Sequence, residues 1–394
     1  MGVNSLAGNG HPVVIFGVGA AGEATYYACE ESGIKVDAFA DNNGNRAKEL
    51  FGLEVIQAER LRDRFTDAQF IISAAAIEDV VPQLQRMGFE HWHPGSLLLK
   101  EFDLSGRSYT KSMDLVEHAV ETVLFCHGNY LEPGRVYMRS VDLEITEQCS
   151  MKCVDCSNLM QYYQQPRSFS LEAVMEWVEA LCSNVDEIGE IRVIGGEPFM
   201  NPDCSRIVEL LAAKPEVRKV VVYTNATIPL KQEHIDRMKH RKVIFMITDY
   251  DALSRNHDRV LRVLETNGIR YVSQKARGWT DCAAIGRHHR TEQEQEDLFT
   301  NCCANKLYTV LGGRFYRCPF VANAVQLGAV PDFDGDHVDL RTVDAKQQLR
   351  KYIFETRFLK ACDWCNGRRL SDPEITPAIQ IRQPVLYKIQ ASGA

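Results

Sequence analysis

Hydrophobic residues along this chain recur with two periods. Val141, Leu143 and Ile145 alternate with polar residues, which predicts a strand with one buried face. The segment after Ser170, a predicted N-cap, instead places apolar residues on one helical face, at Leu171, Val174, Met175, Val178 and Leu181. Strand-like and helix-like stretches keep alternating to about residue 272. This alternation predicts a parallel sheet with crossover helices.

A similar pattern occupies residues 12 to about 95. A buried strand, Val13 to Phe16, enters a turn that contains Gly17, Gly19 and Gly22. A helix and a second strand follow, and Asp41 stands nineteen residues after Gly22. This is the layout of a dinucleotide-binding βαβ unit, in which the glycines approach phosphates and the acidic residue meets a ribose hydroxyl.

The ligand of this first unit stays open at the level of sequence. Ala40 to Asn43, followed by Phe51 to Ile56, resembles the nucleotide-sugar-binding domain of sugar acyltransferases. That resemblance implies a nucleotide or nucleotide sugar as ligand, and a structural or protein-docking role is the equal alternative. A redox NAD site is the third interpretation.

Composition narrows the class of protein. The 394 residues are 45% hydrophobic and 25% charged, as in ordinary globular domains. The net charge of −8 argues against non-specific binding to nucleic acid or anionic membranes. No apolar run reaches the roughly 20 residues that span a bilayer, and Met1 to Gly10 lacks the features of a secretion signal. Thirteen cysteines then indicate a reducing cytoplasm, where they serve metals or chemistry.

Three of these cysteines are concentrated on one loop. Cys149, Cys153 and Cys156 follow the strand near residue 140 with the spacing C-x3-C-x2-C. Thiolates on such a loop can hold three corners of a cubane iron–sulfur cluster and leave one iron open. The alternatives are a zinc knuckle or inert buried thiols, although zinc sites usually pair two C-x2-C units.

With this loop, the chain resembles the radical S-adenosylmethionine (SAM) enzymes. The segment from Gly195 through Gly196 and Glu197 to Pro198 matches the family's Gly-Gly-Glu segment, which implies that it holds the SAM amino group. Thr224 and Asn225 match a polar pair that lies near the SAM ribose. Asp155 departs from the pattern, since that position is often aromatic and touches the adenine. The resemblance therefore implies no adenine contact for Asp155.

The resemblance also implies a partial barrel, whose active-site residues gather at the carboxyl ends of parallel strands. That rule selects Asp249 and Tyr250, and farther along Trp279, Asp281 and Cys282. Each has a simpler interpretation as a packing or turn-capping residue. Both interpretations stay open.

The C-terminal hundred residues carry a second set of cysteines. Cys303, Gly313 and Cys318 are followed much later by Cys362 and Cys365, with a predicted hairpin over Val310 to Phe315. The pattern resembles the twitch extension, a smaller relative of the SPASM domain, and implies one auxiliary [4Fe–4S] cluster. The adjacent Cys302 is an alternative ligand for Cys303, and a structural zinc is the alternative to the cluster.

The fold class expected is α/β with four parts. They are a Rossmann-like domain over 11–110, a linker and helix over 111–138, a partial (β/α)6 radical SAM barrel over 139–290, and a small α+β auxiliary-cluster extension over 291–394.

The resemblance implies the chemistry. An electron from a flavodoxin- or ferredoxin-type donor would trigger SAM cleavage and hydrogen abstraction from a carbohydrate-type substrate, with either dehydrogenation or epimerisation as the outcome. Cys282 and Cys302 are the candidate hydrogen donors for epimerisation. Peptide or protein modification is a second hypothesis, and a non-enzymatic iron–sulfur regulatory protein is a third.

Overall fold

The structure is a computed structural model that describes residues 10–43, 48–369 and 371–387. The contacts divide the chain into two compact units, Met1–Arg135 and Val136–Ala394. Residues 1–9, considered above for a secretion signal, lie outside the described part. Among the described helices, none combines the length and the apolar character that crossing a membrane requires.

The first unit is a six-stranded sheet with helices. Its elements in chain order are β1 (Val13–Phe16), α1 (Ala20–Glu31), β2 (Ala38–Asp41), β3 (Glu49–Leu50), β4 (Leu53–Gln57), α2 (Leu61–Arg64), β5 (Gln69–Ile72), α3 (Ile77–Arg86), β6 (Trp92–Pro94), α4 (Ser96–Leu99) and α5 (Met113–Tyr130). The strand order is β3-β4-β2-β1-β5-β6, and all pairs except β3–β4 are parallel. Without β3 the five strands follow the order 3-2-1-4-5 of a Rossmann-type sheet, so the predicted fold class is confirmed here.

Helix α5 belongs to this first unit. Its Val116, Val120 and Val123 are buried in one apolar cluster with Ala24 of α1 and Leu99 of α4. The sequence placed a linker over 111–138, whereas the contacts place the division after Arg135. The difference arises because the apolar face of α5 is buried against α1 and α4.

The second unit begins as a βα barrel. Its first elements are β7 (Tyr137–Glu144), α6 (Leu171–Asn184), β8 (Glu187–Ile194), α7 (Cys204–Ala212), β9 (Val217–Thr224), α8 (Gln232–Met238), β10 (Val243–Asp249), α9 (His257–Thr266), β11 (Arg270–Lys275) and β12 (Trp279–Thr280). Strands β7 to β11 are neighbours in sequence order and pair in parallel. The parallel sheet with crossover helices is therefore confirmed.

The predicted faces of these elements are observed. Val141, Leu143 and Ile145 are buried in the same core as the apolar face of α6. The intervening Asp142 and Glu144 must therefore point to the inside of the barrel, because strand side chains alternate. Ser170 caps α6 as predicted, since its hydroxyl accepts a hydrogen bond from the Ala173 amide.

The C-terminal extension continues the same sheet. Its elements are α10 (Glu292–Thr300), β13 (Thr309–Leu311), β14 (Arg314–Tyr316), α11 (Pro319–Gln326), β15 (His337–Asp339), α12 (Ala345–Glu355) and β16 (Glu374–Ile375). Strand β13 pairs in parallel with β7, and β14 and β15 follow antiparallel. The predicted hairpin is confirmed, with Gly312 and Gly313 both at positive φ in its turn. Barrel and extension thus share one eight-stranded sheet, and the predicted boundary near residue 290 falls inside one compact unit.

Candidate functional site

The loop after β7 carries the three clustered cysteines at the carboxyl edge of the barrel sheet. Cys153 is buried, and Cys149 and Cys156 are half-buried. Burial raises the pKa of Cys153 and of Cys156 to about 12, and neighbouring thiols of the same loop add to the rise. The three thiols therefore lie close enough to act on one another. As thiolates they require compensating positive charge, which bound iron would supply.

No three His, Cys, Asp or Glu side chains in the described ranges are grouped so that they could hold one metal ion. A cubane differs in this respect, because its three local cysteines bind three different irons. The loop is therefore judged by its position and its chemistry.

Two glycines allow this loop to lie where it does. A Cβ atom on Gly195 would come 2.2 Å from the Thr146 carbonyl oxygen, and one on Gly196 would come 2.1 Å from that of Gln148 and 2.7 Å from Cβ of Cys149. The close approach is completed by backbone hydrogen bonds, since the Gly196 amide donates to Thr146 at 3.0 Å and the Glu197 amide to Gln148 at 2.8 Å. Only glycine fits at both positions.

The Glu197 carboxylate is fully engaged by protein donors. It is completely buried and accepts hydrogen bonds from the Thr224 hydroxyl at 2.8 Å, from the Asn225 amide at 2.9 Å and from the Phe199 amide. Burial raises its pKa to about 7, and these donors counteract the rise. In the structure this carboxylate ties the end of β8 to the end of β9. The contact of the Gly195–Pro198 segment with the SAM amino group, which the resemblance implies, remains a prediction.

Asn225 also connects this edge of the sheet to the cysteine loop. Its side-chain amide donates to the Ser150 hydroxyl at 3.4 Å, and its carbonyl oxygen accepts from the amide and hydroxyl of Thr227. Thr224, Asn225 and the segment from Gly195 to Pro198 are therefore assembled beside the loop, as the sequence predicted.

Tyr250, which follows β10, lies next to the three cysteines. Burial raises the pKa of its phenol, and Cys153, Cys156 and Cys149 add to the rise in that order. Its ring meets the Trp279 ring edge-on at 6.2 Å between centroids. Asp249 is oriented differently, because its carboxylate pairs with Lys275 at 2.8 Å and accepts from the Asp251 amide. That placement matches the turn-capping interpretation of Asp249.

Asp281 approaches the cysteine loop from another side. It adds to the pKa rise of Asp155, which burial causes in the first place, so these two carboxyl groups are neighbours. Two acidic groups at this point favour a cationic or hydroxyl-rich ligand over an anionic one.

A C-terminal segment that the sequence analysis did not single out covers the loop. Residues 374–387, here the C-terminal strap, pair with Trp279 and Thr280 through β16. Farther along, the Val154 amide donates to the Ile379 carbonyl at 2.8 Å and the Ile381 amide to the Lys152 carbonyl at 2.9 Å. Ala378 packs in one apolar cluster with Met151 and Cys153. No motif marks this strap, because most of its contacts with the loop go through the backbone.

Glu144, at the end of β7, was also missed by sequence reasoning. The side chain is buried, and its Oε1 accepts from the side-chain amides of Asn323 at 2.8 Å and Asn158 at 3.3 Å. Tyr163 donates to the other end of the Asn323 amide at 2.7 Å. Among the described residues, Oε2 of Glu144 has no hydrogen-bond partner. Burial raises the pKa of Glu144 to about 8. The hydrogen bond from Asn323 counteracts this rise, and Asp142 and Glu147 add to it.

Glu144 therefore links the barrel to the extension. Asn158 stands two residues after Cys156, and Asn323 lies on α11, whose N-cap is Cys318. A buried polar atom without a partner is uncommon in folded proteins and calls for a ligand or an ordered water. The alternating pattern alone could have placed Glu144 inside the barrel, although not beside α11.

The second set of cysteines gathers around α11 and the turn that contains Cys362 and Cys365. Burial raises the pKa of Cys318, of Cys362 and of Cys365, and the neighbouring Cys302 thiol adds to the rise in each. Arg290 holds the turn, since its guanidinium donates to the carbonyls of Cys362 and Cys365, both at 2.9 Å.

Cys302 and Cys303 occupy different environments. Cys302 is half-buried, whereas Cys303 is exposed and its amide donates to the Arg368 carbonyl at 2.7 Å. The structure thus brings Cys302 to Cys318, Cys362 and Cys365. Cys282 is buried nearby, and it too adds to the pKa rise of Cys365.

In the first unit, the glycine-rich turn is closely packed. A Cβ on Gly22 would lie 2.1 Å from the Gly17 carbonyl oxygen, so the first turn of α1 requires glycine there, and Gly19 is the N-cap of α1. The Asp41 carboxylate accepts hydrogen bonds from the Val18 amide at 3.1 Å and the Asn43 amide at 2.8 Å. Asp41 therefore supports the turn directly. Its predicted contact with a ribose remains a prediction.

The sequence was compared with family models and with known proteins. Residues 143–272 match the sequence model of the radical SAM superfamily. The chain is 34% identical over 89 residues to a GTP 3′,8-cyclase of Stenotrophomonas maltophilia, covering 22% of this chain and 26% of that protein. It is 26% identical over 163 residues to GTP 3′,8-cyclase 1 of Mycobacterium tuberculosis, covering 37% and 42%. The matched stretches are thus less than half of the length of these relatives.

Among solved structures, the chain is similar to BtrN in complex with AdoMet and 2-DOIA. The TM-score is 0.40 at 13% identity, and the alignment covers 59% of this chain and 94% of BtrN. A likeness at this level carries no argument about substrate.

We expect Gly196→Ala to dislodge the cysteine loop, because its Cβ would overlap the Gln148 carbonyl. The purified variant should bind far less iron than the wild type after anaerobic reconstitution, as measured by iron and sulfide analysis. Gly286→Ala is the matched control, since a Cβ there meets nothing within 4 Å. Equal iron content in the two variants would contradict the packing argument.

A second expectation concerns pH. Because the pKa of Glu144 is raised to about 8 in the folded protein, its contribution to stability is complete below the unfolded-state pKa near 4.3 and is lost as pH rises towards 8. Glu144→Gln removes this loss. The free energy of unfolding of Glu144→Gln relative to the wild type, measured by denaturant titration, should therefore increase from pH 5 to pH 8, by at most about 1.4 kcal/mol per pH unit. The exposed Glu355→Gln serves as the control, and a pH-independent difference for Glu144→Gln would contradict the expected burial.

Proposed function

We propose that this chain, which carries a radical SAM domain over residues 143–272, is an enzyme that abstracts hydrogen from a carbohydrate-type small molecule. Cys149, Cys153 and Cys156 would hold a [4Fe–4S] cluster. When bound, that cluster and SAM supply an electron and a 5′-deoxyadenosyl radical for the abstraction. The observation that carries this proposal is the cysteine loop seated on Gly195 and Gly196 at the carboxyl edge of the barrel.

The residues around the loop fit SAM in the following way. The backbone of Gly195 and Gly196, free of side chains, would approach the SAM amino group, while Glu197 holds Thr224 and Asn225 in place for the ribose. Tyr250 and Trp279 would wall the site, and the C-terminal strap would exclude water from it. The reducing electron would come from a flavodoxin- or ferredoxin-type donor.

Cys302, Cys318, Cys362 and Cys365 would hold one auxiliary [4Fe–4S] cluster. This assignment replaces the exposed Cys303 with Cys302, whose thiol influences the other three. A cluster with four protein ligands offers no open iron, so its expected role is to accept the second electron of a dehydrogenation. If Cys282 instead returned a hydrogen atom, the outcome would be epimerisation.

The substrate assignment is supported by the polar interior between the two cysteine sets. The unpartnered Oε2 of Glu144 suits a ligand that presents hydroxyl or amino donors, whereas the neighbouring Asp142 and Glu147 are already paired with Arg192 and Arg167. A sugar, an aminocyclitol or a nucleotide-linked sugar has this chemistry. For the Rossmann-like unit itself, a nucleotide or nucleotide sugar is the proposed ligand, bound through Gly17, Gly19 and Gly22.

A nucleotide is the second candidate substrate, because the curated relatives named above are GTP 3′,8-cyclases. The matched portions of these relatives are short, so the activity assay described next includes both carbohydrate-type compounds and GTP. Peptide modification ranks lower, since the first unit has the strand order of a Rossmann-type sheet and not that of a small peptide-docking module. A non-enzymatic iron–sulfur protein would bind a cluster without cleaving SAM.

The first test uses anaerobically reconstituted protein, dithionite and SAM, with GTP, nucleotide sugars and aminocyclitols as separate substrates. We expect 5′-deoxyadenosine in every reduced sample and its increase with a carbohydrate-type compound. A product two mass units lighter indicates dehydrogenation, and one solvent deuterium on carbon indicates epimerisation. Stimulation by GTP alone would favour the nucleotide hypothesis, and no deoxyadenosine from protein with a loaded cluster would contradict the enzyme proposal.

The auxiliary ligands are tested by serine substitution. Cys302→Ser should lower the reconstituted iron towards four atoms per chain and remove one of the two cluster signals from the electron paramagnetic resonance spectrum, as expected for loss of one cubane. Cys303→Ser, the adjacent control, should leave both unchanged. The opposite result would return the ligand role to Cys303.

A further inference from the structure

A second concave site lies at the amino-terminal edge of the barrel strands, opposite the cysteine loop. It is a cavity of about 590 Å³, lined by the start of β9, the segment before β10 and the segment before β11. This volume is within the usual range of small-molecule sites. Because the cysteine loop follows the carboxyl end of β7, the cavity is separate from the site proposed above.

The lining of this cavity, here the basic cavity, is dominated by positive charge. Six of its ten lining residues are Lys or Arg, a seventh is His240, and none is Asp or Glu. The whole chain carries a net charge of −8, so general composition does not explain the concentration. The six cationic residues are Arg218, Lys219, Lys239, Arg241, Lys242 and Arg270.

The sheet register directs several of these side chains to one place. Val220 pairs with Val243, so Lys219 and Lys242 lie side by side on the neighbouring strands. Both valines are buried in the core, and the alternation of a strand turns the two lysines to the other face. Arg270 begins β11, the next strand, where it pairs with Ile244.

These charges are only partly compensated by the protein. Arg218 is ion-paired with Glu187, Lys219 stands opposite Glu190 on the neighbouring strand, and Lys242 donates to the Lys214 carbonyl at 2.6 Å. Lys239 and Arg241, both exposed, form no ion pair with any carboxylate in the part of the chain that the structure describes. Burial lowers the pKa of Lys242, the adjacent Arg241 adds to this shift, and Glu216 counteracts it.

We propose that the basic cavity binds the diphosphate or triphosphate group of a small molecule. Lysines serve as point charges for phosphate, and arginines present several donors in a planar fork. Several such groups around one concavity fit an anion with more than one negative charge.

An acidic electron-donor protein is the less favoured occupant. Strand β9 has eight residues, and at about 3.3 Å per residue it separates the two edges of the sheet by roughly 25 Å. A donor docked at the basic cavity would therefore be far from the cysteine loop. A small polyphosphate needs no such proximity, so this inference does not depend on the proposed radical chemistry.

The test is direct binding to the purified full-length protein by isothermal titration calorimetry, with inorganic pyrophosphate, ATP and uncharged adenosine as probes. We expect pyrophosphate and ATP to bind, and adenosine to bind much more weakly. The double variant K239E/R241E should bind pyrophosphate at least about tenfold more weakly, since one charge-assisted contact contributes on this scale. The control R259E/R262E makes the same change in net charge on exposed residues of α9 and should retain the affinity.

The outcomes separate the alternatives. Absence of pyrophosphate binding to the wild type, or an equal loss in both double variants, would overturn the proposal. Binding of a flavodoxin that K239E/R241E abolishes, with no binding of pyrophosphate, would assign the cavity to a protein partner instead. Circular dichroism and iron content check that both variants are folded. We expect them to be, because the substituted side chains are exposed.

Discussion

The structure of the barrel edge depends on one steric constraint, the close contact of the cysteine loop with two glycines. Thr146, Gln148 and Cys149 leave no room for a side chain on Gly195 or Gly196, and the backbone amides that follow bind the carbonyls of the loop. The loop is thereby fixed to the end of β8 before any cofactor is considered. Glu197 extends the arrangement to β9, because its carboxylate is used by the neighbouring strand end.

The polar interior follows from this arrangement. With the apolar residues of β7 packed against helices, Asp142 and Glu144 are turned inwards, where burial disfavours their charged forms. Asn158 and Asn323 satisfy one oxygen of Glu144 and so join the cysteine loop to α11.

The sites at the two ends of the barrel are lined by different charged groups. Carboxyl groups accumulate at the edge that carries the cysteine loop, and lysines and arginines accumulate at the basic cavity. Such a separation favours a cationic or hydroxyl-rich ligand at the cysteine loop and an anionic ligand at the basic cavity. A net charge for the whole chain averages over it and therefore describes neither end.

The sequence by itself determined the elements that local chemistry controls. Spacing identified Cys149, Cys153 and Cys156, alternation identified the buried face of β7, and Ser170 and the Gly312–Gly313 turn were recognisable because caps and tight turns restrict residue type. Tertiary structure alone decided which groups meet across distant segments. It brought Cys302 to Cys318, engaged Glu197 and Asp41 with backbone amides, and placed Asn323 on Glu144. It also laid the C-terminal strap over the cysteine loop. These contacts depend on the packing of whole elements and on backbone hydrogen bonds, which leave no periodic or spacing signal in the chain.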